Sequence, residues 1–216
     1  MIGRVLTGTS KLDESGLTLL VYVVATTLLY AAAGSAYYGT AGVWGQVAFL
    51  CAIALGVAAT VMMLRTRAPS PKRTIGTVTL MSIVAAGLSF ASSTTLPAYL
   101  ICVQASMFLA MHIGAFWSER IAGIWAGLLA LSAITGAAIG TYQSSFISCV
   151  LIALGVVGST EVFGAFARRL RYSATHDALT GLLNRFGFEA KVEKMLPACS
   201  ASLPSAPPLE VPYYVI

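Results

Sequence analysis

Six apolar runs of about 20 residues each dominate the chain, and at 1.5 Å of rise per residue each is long enough as an α-helix to cross roughly 30 Å of hydrocarbon. They extend from Leu17 to Tyr37, Trp44 to Leu64, Ile75 to Thr94, Leu96 to Trp117, Ile121 to Thr141 and Phe146 to Phe166. The expected fold is therefore an all-α membrane protein, six transmembrane helices joined by short loops. The third and fourth runs are the least well separated, with only Ser92, Ser93, Thr94, Thr95 and Pro97 between them. Pro97 suits a helix start, where its missing N–H would have no partner within the helix.

Composition excludes the soluble alternatives. Of 216 residues 57% are hydrophobic and 10% charged, with a mean hydropathy of +0.83, far outside the range of soluble globular domains. A net charge of +5 formally suggests nucleic acid, but the basic residues lie between apolar runs and form no patch with polar and aromatic neighbours. The partner expected is the lipid bilayer, not nucleic acid. Cys51, Cys102, Cys149 and Cys199 include no CxxC pair, and three lie in apolar runs, so they read as packing residues. Arg4 and Lys11 ahead of an apolar stretch resemble a secretory leader, but the first run is long enough to span, and Asp13 and Glu14 also precede it. A retained first span is expected.

Basic residues set the orientation. Arg4 and Lys11 precede the first span, Arg65, Arg67, Lys72 and Arg73 fill the second connection, Arg120 marks the fourth, and Arg168, Arg169 and Arg171 follow the sixth. The other three connections, "YGTAGV", "SSTTL" and "YQSS", carry no charge. Both termini are expected in the cytoplasm, with the basic residues as inner-leaflet anchors and outside loops too short for a sensor domain. The fifth span places Gly123 four residues before Gly127, and Ser132 and Gly136 four residues before Gly136 and Gly140, a spacing that lets helices approach closely within a bundle or between chains. Two ionisable residues fall within the runs, His112 and Glu161. Such residues are candidates for function. They also have structural readings: Glu161 snorkels or pairs one face along with Arg168, and His112 finds a Ser, a carbonyl or a headgroup.

Beyond Phe166 the sequence turns charged and amphipathic in "ARRLRYSATHDALTGLLNRFGFEAKVEKML", and no breaker separates the sixth span from Tyr172. A stiff basic exit helix of this kind can pass a shift of the bundle onward. Thr180 and Gly181 then supply a turn, Leu179, Leu182 and Leu183 an apolar cluster, and Asn184 an N-cap for a helix from Arg185 to Leu196. Phe188, Val192 and Met195 give that helix one apolar face, which needs a surface to pack on.

The segment from Asp177 to Arg185, with Asp177, Leu179, Thr180, Gly181, Leu182, Asn184 and Arg185 in place, resembles the D-x-L-T-G-L-x-N-R junction that opens the GGDEF domain of membrane-bound diguanylate cyclases. The resemblance implies cyclic di-GMP signalling, in which two GTP condense across a dimer with Mg²⁺ held by carboxylates at the triphosphate. Those parts of the family pattern are missing: the chain has no DxDxFK strand, no GGDEF or GGEEF loop and no RxxD motif. The match covers Asp177 to Leu196, a fraction of a domain that needs about 150 residues to close its core. Mg²⁺ and GTP are thus expected only of an intact family member, and this chain is expected to have no cofactor, no metal and no catalytic residue.

The resulting organisation is an N-terminal cytoplasmic segment (1–16), a six-helix input module (17–166), a basic linker helix (167–176), the start of a GGDEF domain (177–196) and a Pro/Ser-rich tail (197–216) read as disordered. A frameshift or truncation near Leu196 would account for the change at the tail. The expected setting is the inner membrane of a bacterium, with a homodimer, or a heterodimer with intact GGDEF proteins, as possible partners. The expected function is the sensory portion of a cyclase, inactive alone. A membrane interaction protein that modulates intact homologues is the alternative, and a small transporter suffers from the missing internal repeat.

Overall fold

The computed structural model describes residues 14–37, 42–66, 71–140, 142, 145–177, 179–189 and 192. Arg4, Lys11, Arg67, Cys199, segment 1–13 and the tail 197–216 lie outside the described residues. Six long helices account for most of what is described: α1 (Glu14–Tyr37), α2 (Val43–Arg65), α3 (Lys72–Ser92), α4 (Leu96–Phe116), α5 (Glu119–Ile139) and α6 (Phe146–Thr175). All six are long and apolar enough to cross a membrane. No strand occurs among the described residues, only one isolated antiparallel bridge between His176 and Leu183.

Four of the six helix starts fall before the apolar runs, and α4 and α6 start with theirs. α1 begins at Glu14 rather than Leu17, and α3 at Lys72 rather than Ile75. Hydropathy marks where the chain becomes greasy, whereas a helix backbone continues through the polar residues that flank a span. α4 opens as expected, with Thr95 as N-cap and proline in its first turn.

The chain divides into two compact units, Met1–Ala167 and Arg168–Ile216. In the first unit the usual arrangement of side chains is inverted. Large apolar residues such as Leu28, Leu50, Leu64, Ile124, Leu131, Leu154 and Val162 are exposed on the outer helix faces. The interior holds many small ones, among them Ala52, Ala59, Ala110, Ala126, Ala133 and Ala137. Lipid tails are as apolar as leucine, so helices in hydrocarbon gain by close van der Waals approach, and small interior residues permit it.

A close backbone seam joins α3 to α5. A Cβ on Gly136 would overlap the Gly87 carbonyl, and one on Gly87 would overlap the Ser132 side chain. The Ser132 hydroxyl donates to the Ile83 carbonyl across the same seam at 2.9 Å. Only one half of the small-residue stripe is used in this way, because Gly123 and Gly127 face open space. Elsewhere, Tyr30 of α1 hydrogen-bonds Ser92 of α3 and packs its ring 5.2 Å from Phe49 of α2. α6 meets α4 where Gly114 lies against the Thr160 carbonyl.

Five buried Ser and Thr residues inside the bundle satisfy themselves locally, whereas the buried hydroxyls of Thr95 and Tyr99 have no hydrogen-bond partner among the described residues. Thr79, Ser82, Ser93, Ser106 and Thr160 each donate to the carbonyl four residues earlier, at 2.8 to 2.9 Å. These bonds remove the cost of an unpaired polar group in an apolar medium. Such residues need no functional explanation.

Candidate functional site

The second unit contains the residues that carry the family resemblance, and each has a definable structural task. α6 ends at Thr175, and the following segment folds back in a tight turn. Asp177 Oδ1 accepts from the N–H of Leu179 at 3.1 Å, the N–H of Thr180 at 2.9 Å and the Thr180 hydroxyl at 2.9 Å. The Asp177 backbone closes the same turn, its carbonyl accepting from Gly181 N–H at 2.9 Å and its N–H donating to the Leu182 carbonyl at 2.8 Å. Gly181 adopts φ +67°, a left-handed conformation open to glycine at little cost.

Asn184 links the turn to both flanking helical segments. Its side-chain oxygen accepts from Gly187 N–H at 2.8 Å, capping the helical residues 185–189, while its Nδ2 donates to the Ala174 carbonyl at 2.9 Å. Its own N–H donates to the Thr175 carbonyl at 3.0 Å. Gly187 is buried so close to Thr175 that a Cβ there would overlap the Thr175 carbonyl. Arg185 pairs with Glu189 at 2.8 Å, one helical turn on and well exposed, a contact contributing about 0.3–0.5 kcal/mol. The His176 ring stacks on Tyr172 at 4.1 Å. Helix residues beyond 189, apart from Val192, lie outside the described residues, as does Ala178.

Hydrogen bonds from Asp177 and Asn184 thus close the turn on both sides. Among the described residues no group of three His, Cys, Asp or Glu is placed to hold a metal ion. Asp177, an acceptor of three hydrogen bonds, has its charge committed to the turn. The Thr180 N–H, then its hydroxyl, then the Leu179 N–H hold the carboxyl below the usual carboxylate range. A depressed folded-state pKa means that the carboxylate's contribution is present above the unfolded value of about 3.9 and is lost as pH falls through the folded value. Amide protection of Leu179 and Thr180 in hydrogen exchange is therefore expected to be flat above about pH 5 and to fall in acid below the ordinary aspartate pKa. Asp177→Asn should abolish that pH dependence, and an unchanged acid profile in the variant would exclude Asp177 as its origin.

Alanine scanning of sequence motifs would not single out Gly187 or Ala174, because their roles arise from backbone approach. The only available signal was a small residue two positions after the conspicuous Arg185. The leucines and aromatics around the turn remain outside any core: Leu179 is 96% exposed, and Leu182, Phe186 and Phe188 are also exposed.

The two intramembrane candidates differ. Glu161 is exposed and makes no ion pair among the described residues. His112 is 7% exposed and neither ring nitrogen has a hydrogen-bond partner. No Ser or carbonyl partners it among the described residues, and the ring lies against Phe116, centroids 4.9 Å apart. Of the anchor residues, Arg65 closes α2, Lys72 and Arg73 open α3, and Arg168, Arg169 and Arg171 belong to the last part of α6. Cys51, Cys102 and Cys149 are free thiols. Comparison of the whole chain with protein-family models, curated proteins and solved structures finds no match.

Proposed function

We propose that this chain is the membrane input portion of a diguanylate-cyclase-type signalling protein and makes no cyclic di-GMP by itself. One observation carries the reading: the segment resembling the D-x-L-T-G-L-x-N-R junction stands directly behind the last of six helices able to span a membrane. The local geometry is consistent with that role, since Asp177, Thr180, Gly181 and Asn184 are engaged in fixing a turn rather than presented to a substrate. α6 continues from Phe146 to Thr175 without interruption, the property required of a helix that relays a bundle movement. The charge pattern supports a bacterial inner-membrane setting with both ends in the cytoplasm, because the charged connections all fall on one side when six spans are drawn.

Purified protein incubated with GTP and Mg²⁺ is expected to yield no cyclic di-GMP above a protein-free control, measured by mass spectrometry. Sustained turnover would overturn the inactivity. Fusing an active GGDEF domain in register after Arg185 is expected to restore membrane-bound synthesis, and chimeras silent in every register would remove the input-module reading.

A second reading is favoured by the exposed apolar side chains of Leu179, Leu182 and Phe186. Exposed apolar clusters mark interaction surfaces. On this reading the chain pairs with an intact homologue and damps its activity. Co-purification with a full-length cyclase, lost on changing Leu179 and Leu182 to Asp, distinguishes it from the first.

A further inference from the structure

Between α1 and α4 runs a groove of about 570 Å³, with Phe163 of α6 also in its wall. That size lies within the range of roughly 300–1,000 Å³ typical of small-molecule sites. Along α1 the wall extends from Thr18 to Leu29 and along α4 from Ile101 to Phe116. Eleven helical rises make the α1 side about 16 Å long, so the groove suits an elongated molecule lying along the helices.

Its two ends differ chemically. Successive spans reverse direction, which sets α4 antiparallel to α1 and brings the Leu29 end of one beside the Ile101 end of the other. That end has no aromatic ring: Leu29, Ile101, Ala25 and Ala105 share its wall with Thr26 and Gln104. Toward the other end, α4 presents Phe108, His112 and Phe116 at four-residue intervals, joined by Phe163. Aromatic rings at the head end and aliphatic side chains along the tail describe a molecule with a flat aromatic head and a hydrocarbon tail.

His112 supplies the polar specificity. Thr79, Ser106 and Thr160 bond to a carbonyl of their own helix, whereas His112 leaves both ring nitrogens unpartnered, more unpaired atoms than Thr95, Tyr99, Trp117 or Trp125, each of which leaves one. A neutral imidazole carries one donor and one acceptor, and leaving both unpaired away from water is costly. His112 lines the groove, and the torsion that turns its ring has a broad minimum. No Lys or Arg lines the groove, which disfavours a fatty carboxylate. A saturated alcohol would leave the aromatic faces unused.

We propose that the α1–α4 groove binds a lipid-phase quinone, its aromatic head among Phe108, Phe116 and Phe163 and a ring carbonyl accepting a hydrogen bond from His112. The site belongs to the helical bundle alone and does not depend on what the junction at Asp177 joins.

The test uses the full chain in phosphatidylcholine nanodiscs and an azido-benzoquinone with a ten-carbon tail as photolabel. Labelling is expected to map to α1 and α4, to saturate, and to be displaced by unlabelled decyl-benzoquinone but not by palmitate or cholesterol. His112→Phe should weaken displacement about tenfold, the loss of one buried hydrogen bond, and His112→Gln, which keeps a donor, should remain within about threefold of the parent. Ala25→Trp, at an exposed wall position, should block labelling while leaving thermal unfolding unchanged. If His112→Phe fails to fold, His112→Gln and Ala25→Trp carry the result. Non-saturating label, equal competition by palmitate or cholesterol, or an Ala25→Trp protein labelled like the parent would each overturn the proposal.

Discussion

Gly136→Leu is expected to destabilise the helical bundle by about 3 kcal/mol, the upper part of the range for overpacking a tightly filled interior, whereas Gly123→Leu on the same helix should change it by less than about 0.5 kcal/mol. A side chain at Gly136 meets backbone rather than a flexible side chain: the first atom in its path is the Gly87 carbonyl oxygen. Relief requires α3 and α5 to separate, and separation also stretches the Ser132 to Ile83 hydrogen bond. At Gly123 nothing lies within 4 Å, so a leucine there extends into the surroundings. Equilibrium unfolding by sodium dodecyl sulfate titrated into non-ionic micelles, followed by circular dichroism, measures both variants. Leucine is the better helix former at both sites, so equal destabilisation would show that the α3–α5 seam is not what sets the cost at Gly136.

That contrast also marks the reach of sequence reasoning. The spans were legible because crossing hydrocarbon imposes a length and a composition that few other structures share. The four-residue spacing of small residues on α5 was equally visible, but which part of the stripe would be covered depended on the placement of α3, and nothing local to α5 encodes that. Thus Gly136 and Gly140 approach α3 while Gly123 and Gly127 do not contact a neighbour. At the junction the turn at Thr180-Gly181 and the cap at Asn184 were readable from residue type, since each serves neighbours within three residues. The Asn184 bond to Ala174 spans ten residues and depends on how the chain folds back. His112 stood out as an ionisable residue in an apolar run, but the groove beside it pairs α1 with α4, helices about eighty residues apart whose adjacency no periodicity discloses.

Gly187→Val is expected to open the junction locally while leaving the unfolding of the bundle unchanged. The Cβ of valine would overlap the Thr175 carbonyl, which already accepts from Asn184 N–H. Either that carbonyl moves or the helical residues 185–189 swing away, and both break the bonds from Asn184 to Thr175 and Ala174. The penalty should be about 2 kcal/mol, combining a backbone clash with loss of partially exposed hydrogen bonds. Expressed in hydrogen exchange, that is a loss of protection of roughly 30-fold at the amides of Asp177, Gly181 and Asn184. Gly181→Ala attacks the same turn by another route, since a left-handed φ costs a residue with a Cβ about 1–2 kcal/mol. Its effect should be largest at Gly181 and Asp177 and weaker at Asn184, because the cap and the Thr175 contact lie beyond the strained residue. The difference in pattern separates a collision from a conformational penalty. If both variants exchange as the parent does, the turn is not the rigid element that the proposed input role requires of it.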